Sequence, residues 1–139
     1  MTPLQIQSVQ ESFASVAPDR ELVAKLFYER LFELDPSLRP LFRGDLVEQG
    51  RKLMNMLKLV VHSLDNIGGL VPFIAEMGDR HRGYGVKDEH YETVGAALLW
   101  TLEKGLQDEF TEHCRQSWAA AYDLLASTMK EGAARARCA

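Results

Sequence analysis

Cysteine is scarce in this sequence: Cys114 and Cys138 are the only two among 139 residues. Two thiols without metal-site spacing supply neither a disulfide framework nor a zinc site. A reducing, cytoplasmic setting is therefore expected, with Cys114 a small buried hydrophobe on an apolar helix face. Long apolar runs are missing as well. A membrane-spanning helix needs roughly 18 consecutive apolar residues, and no stretch approaches that. The opening MTPLQIQSVQESF is polar and periodic, unlike a signal peptide. Nor is positive charge in excess: 20 acidic against 16 basic side chains leave a net charge of -4. Without a basic field, nucleic acid is excluded as a main partner. Arg135 and Arg137 gather only in the tail. Repeats, low-complexity tracts, linkers and alternating strand patterns are absent too.

What is there is helical period, almost throughout. Hydrophobic residues make up 46% and charged residues 26%, the balance of a globular domain. Leu4, Val9, Phe13 and Val16 mark a first helix. Pro18 and Asp19 open a second, with Leu22, Val23, Leu26, Phe27, Leu31 and Phe32 turned inward. Pro36 starts a short turn-rich piece ending in Phe42. From Gly44 and Asp45 a long helix of roughly 20 residues follows, about 30 Å at the standard rise. Its inner face is Leu46, Leu53, Leu57, Val60, Val61 and Leu64. Two further long helices carry Tyr91, Val94, Leu98, Leu102 and Leu106, then Phe110, Cys114, Trp118, Tyr122, Leu125 and Met129. The expectation is one all-α domain over residues 1–139. It has six main helices, a short connecting helix between the second and third, and a frayed tail from about residue 131.

Between the third helix and these last two lies the stretch with most chemistry, PFIAEMGDRHRGYGVKDEHY. Pro72 suits a first helical turn, and Gly83 and Gly85 suit its end. Phe73, Ile74, Met77 and His81 share one face at helical spacing. An imidazole at the last turn of an amphipathic helix can be structural, titrating or a metal ligand. Its partners decide. Tyr28 is embedded in the apolar run LFYERLF, and a buried tyrosine hydroxyl needs a partner. Gln49 and Leu53, four residues apart, share a face of the long helix, and Gln49 can bond Tyr28 or join it in binding a third group. Ala24 and Gly50 are small enough for the second and third helices to cross closely. His62, His90 and His113 read as solvated, and Trp118 and Tyr122 as packing residues.

Taken in order, FYERLF, DPSLRPLF, EQGRKL, RHRGYGVKDEHY and WAAAY resemble the globins, over about residues 4 to 130. The similarity is closest to single-domain bacterial globins and the haem domain of flavohaemoglobins. It implies a 3-over-3 helical sandwich around haem b (iron protoporphyrin IX), with His81 the proximal iron ligand. Phe42 would stack on the porphyrin, and Val86, Tyr91 and Val94 would line its proximal side. Lys52 would reach a propionate, Tyr28 and Gln49 would form a polar distal pair, and Leu53 the apolar wall beside the bound gas. The Met77 carbonyl, one turn back, is the natural acceptor for the second ring nitrogen of His81.

Such a site implies tight, reversible O₂ binding. A hydrogen bond to a charged acceptor contributes roughly 1.5–3 kcal/mol, equivalent to about tenfold to hundredfold slower release. Two functions share that chemistry: an O₂ carrier or scavenger, and a nitric oxide dioxygenase turning O₂ and NO into nitrate. The second needs a separate reductase, since the similarity covers only a haem domain. A haem sensor, or a haem-free signalling module of the same fold, is a further alternative. One departure stands out. In flavohaemoglobins a glutamate of the last helix bonds the proximal histidine and tyrosine; here Ala133 holds that place, with Glu131 two residues earlier.

Overall fold

The computed structural model describes residues 1–138, with side chains through Ala134, so the Arg135, Arg137 and Cys138 side chains lie outside it. Six α-helices follow in order: α1 Pro3–Val16, α2 Arg20–Leu34, α3 Leu46–His62, α4 Val71–Gly83, α5 Asp88–Leu106 and α6 Glu112–Cys138. Among the described residues there is no strand. Short 3-10 turns connect them; the one at Pro36–Leu41 is the expected connecting helix between α2 and α3. The fold is the expected all-α one.

Local chemistry sets these boundaries. Thr2 and Gln5 form a reciprocal cap on α1: the Gln5 N–H donates to Thr2 Oγ1 at 3.2 Å, and the Thr2 N–H donates to Gln5 Oε1 at 3.0 Å. The Asp35 carboxylate stops α2 and opens the next turn by accepting from the Ser37 N–H at 3.1 Å and its hydroxyl at 2.5 Å. Asp45 caps α3 through the Val47 N–H at 3.0 Å. That helix has 17 residues, shorter than expected, because the chain tightens into a 3-10 run at Leu64–Leu70. Pro72 stands in the first turn of α4, and Gly85, with φ at +93°, turns the chain away after it.

One core joins all six helices. Val9, Leu31, Ile74 and Ala97 lie at its centre, essentially without solvent contact. α6 closes the molecule: Trp118 packs near Phe13, and its Nε1–H donates to Ser12 Oγ at 2.8 Å. Cys114 is buried as expected. Three residues assigned to inner faces are not there. Leu4, Leu22 and Phe73 are 68%, 56% and 40% exposed. Each stands in the first turn of its helix. Phe110 lies before α6 rather than on it.

Through the stretch expected to fray, α6 runs on to Cys138, and Gly132 and Ala133 are buried. Small residues bury backbone there, which leaves no large-residue stripe to read. Among the described residues no single helix is long and apolar enough to cross a membrane.

Candidate functional site

α2, α3, α4, α5 and α6 enclose a cavity of about 790 Å³. Tyr28, Phe42, Gln49, Lys52, Leu53, His81, Val86, Tyr91 and Val94 all line it. The nine sequence candidates therefore reach one cavity from four helices, α2, α3, α4 and α5, and from the segments before α3 and after α4 that carry Phe42 and Val86. The volume falls in the roughly 300–1,000 Å³ range of small-molecule and cofactor sites.

His81 sits in the last turn of α4, half-buried. Its Nδ1 lies 2.7 Å from the Met77 carbonyl oxygen, which can only accept, so Nδ1 carries the proton and donates. Nε2 is left with its lone pair. Burial lowers the imidazole pKa, the nearby Arg80 guanidinium lowers it further, and the Met77 carbonyl opposes both. The result is a neutral imidazole at pH 7 in one fixed tautomer. That is the form in which histidine binds metals. Among the described residues no cluster of three or more His, Cys, Asp or Glu could hold a metal ion alone.

Tyr28 is 7% exposed and sits among aromatic rings. Its ring centroid is 5.2 Å from Phe27, 5.4 Å from Phe42 and 6.1 Å from Phe32. Burial alone pushes its pKa up to about 12, with no hydrogen bond contributing. Gln49 is turned elsewhere. Its Nε2–H donates to the Arg43 carbonyl at 2.9 Å, so of the two roles open to it, bonding Tyr28 or joining it on a third group, the first is not taken. The loop before α3 offers a carbonyl within easier reach of the amide.

Several lining residues were not assigned to the site from the sequence. Tyr122, read as packing, lines the cavity and donates its hydroxyl to the Tyr91 carbonyl at 2.5 Å. Its place on the Trp118–Tyr122–Leu125 stripe was legible, but not which element that stripe would meet. His90, read as solvated, is half-buried in the lining; its Nδ1 accepts from the Lys87 N–H at 3.0 Å and caps α5. Arg43 and Arg80 join Lys52 as cations of the lining. Glu131 is exposed, Ala133 is buried, and Lys130 lies 5.4 Å over the Tyr91 ring. No carboxylate of α6 reaches His81, whose ring bonds only Met77.

These features define a helical domain built around an apolar cavity with the neutral His81 imidazole in its wall. The Globin family model matches residues 25–129, and the chain belongs to the globin family. The neuroglobin of Danio rerio is 29% identical, covering 91% of this chain and 89% of that relative. The flavohemoprotein of Halalkalibacterium halodurans is also 29% identical; the match covers 86% of this chain but only 30% of that protein. Among solved structures, an engineered carbene transferase from Rhodothermus marinus, named as a candidate nitric oxide dioxygenase, superposes with a TM-score of 0.89. It is 28% identical, and the match covers 99% of this chain and 96% of that one. A bacterial globin from Campylobacter jejuni has a TM-score of 0.86 over 99% of this chain and 100% of that one. At 23% identity that likeness speaks for the fold alone.

Proposed function

We propose that this globin holds haem b in the 790 Å³ cavity and binds O₂ reversibly at its iron. The observation that carries this is His81: one neutral imidazole, its Nδ1 tied to Met77 and its Nε2 free, in the wall of an apolar cavity. The residues present fit the group. An apolar lining suits a flat macrocycle, and Lys52, Arg43 and Arg80 provide cationic partners for its two carboxylates. Phe42 would stack on the ring, and Val86, Tyr91 and Val94 would pack the His81 side of it. When bound, haem would supply an iron centre that takes up a diatomic gas.

The protein's own groups do the rest. His81 would hold the iron through Nε2, while the Met77 bond fixes the plane of its ring. Tyr28, buried and protonated at any physiological pH, would donate its O–H to a bound gas. Leu53 would be the apolar wall beside it. Gln49 would have to release the Arg43 carbonyl to act as a second donor. The test is the absorption spectrum of the purified protein, ferric, ferrous and ferrous with O₂, beside His81→Ala. A strong Soret band and a stable O₂ spectrum, both disrupted in the variant, are expected. A wild type that takes up no haem sinks the proposal and favours a haem-free signalling module.

A second reading, nitric oxide dioxygenase, draws on the likeness to the flavohemoprotein and to the carbene transferase. It uses the same Tyr28 donor and adds a partner reductase to restore ferrous iron. The exposed Glu131 and buried Ala133 weigh against a carboxylate-strengthened proximal ligand. NO consumption that stops at one equivalent, even with a competent reductase, rules the enzyme out.

A further inference from the structure

α4 and α6 cross backbone to backbone. A Cβ built on Gly78 would lie 2.6 Å from Met129 Cα, and one on Gly132 would lie 2.6 Å from Ala75 Cα. Both obstacles are main-chain atoms, which cannot rotate out of the way. The contacts are also reciprocal. Ala75 and Gly78 are three apart on α4, Met129 and Gly132 three apart on α6, and residues so spaced share a helix face. Helices packed through ordinary side chains keep their axes about 8–10 Å apart; this pair has had the intervening side chains removed.

His81 is the next residue at that spacing beyond Gly78, and Met129 also lines the cavity. The His81 ring is tied to the α4 backbone through Met77, so it moves with the helix. We propose that Gly78 and Gly132 are positioning residues for His81: their backbone crossing sets how deep the imidazole reaches into the cavity. This rests on His81 being the iron ligand. A binding group must be held within about 0.5 Å of its productive place. A methyl forced between two main chains displaces α4 by enough to matter.

The test reads the iron–histidine stretch of haem-loaded ferrous protein by resonance Raman, beside the denaturant midpoint. Gly78→Ala and Gly132→Ala are expected to move that band outside the wild-type line width. Gly105→Ala, whose methyl meets only the Val16 side chain at 3.2 Å, leaves the band in place whatever it does to stability. An unmoved band in folded Gly78→Ala and Gly132→Ala overturns the proposal. Should both methyls prevent folding, Ala75→Gly removes volume at the same crossing. A shifted band there supports the proposal, and an unmoved one overturns it. A wild type without the band, or with one that survives His81→Ala, takes His81 off the iron and the proposal falls with it. That failure is distinguishable from a wild-type band the variants leave alone.

Discussion

The Tyr28 side chain is buried and lines the cavity, and no hydrogen bond contributes to its raised pKa. On the proposed function, its hydroxyl is the donor for a bound gas with a negative outer atom. Such a bond contributes about 1.5–3 kcal/mol, so Tyr28→Phe is expected to speed O₂ dissociation by at least about tenfold in stopped-flow displacement. An unchanged rate removes the tyrosine from the mechanism. The same burial has a signature in alkali. With its pKa raised from 10.0 to about 12, Tyr28 keeps its proton in the folded chain while the unfolded chain loses it. Its contribution to stability is whole below pH 10 and drains away as pH rises through about 12. Urea midpoints should therefore fall less steeply over that interval in Tyr28→Phe than in the wild type. Tyr91 and Tyr122, also shifted upward by burial, leave a residual slope.

At the scale of the element, α4 and the turn after it place His81 and Val86 in the lining. The Val86 N–H donates to the His81 carbonyl at 3.0 Å, and Gly85 at φ +93° makes that return possible. A Cβ on Gly85 would meet only Leu41 Cδ2, at an ordinary 3.4 Å. Space is available there, so the backbone conformation alone resists a side chain. A left-handed residue costs roughly 1–2 kcal/mol, and Gly85→Ala should lower stability by about that much in denaturant titration. Helix existence and type were legible in the sequence because apolar residues recur at helical spacing. Helix ends were less so. Leu4, Leu22 and Phe73 follow the period yet are exposed, because period gives a direction around the axis and not whether anything covers that face. The α4–α6 crossing was hidden for the opposite reason: Gly78 and Gly132 act by lacking a side chain. His81 and its Met77 acceptor were readable, both lying within one turn. The Gln49 bond to the Arg43 carbonyl depends on the path of an irregular loop, about which periodicity says nothing.

For the molecule as a whole, the cavity is bounded by five helices, so its occupant touches most of the fold. A ligand that binds only the folded chain stabilises it by mass action, about 2.7 kcal/mol when free ligand is at 100 times Kd. For a domain of this size that corresponds to a Tm change on the order of 10 °C. Scanning calorimetry of the haem-loaded and haem-extracted protein should show such a difference. Equal melting temperatures would mean that haem does not discriminate folded from unfolded chain. How His90 and Tyr122 come to share a wall with Tyr28 is likewise a whole-molecule property. It depends on long-range packing of α2, α5 and α6, which no local pattern encodes.

The bond between Trp118 and Ser12 spans 106 positions of the chain. On a ribosome adding about 5–20 residues per second, α1 emerges roughly 5–20 s before the segment that covers it. Through that interval Val9, Phe13 and Val16 have no α6 to lie against. α1 is thus made well before it is secured, and its apolar face stays without that cover until α6 is made.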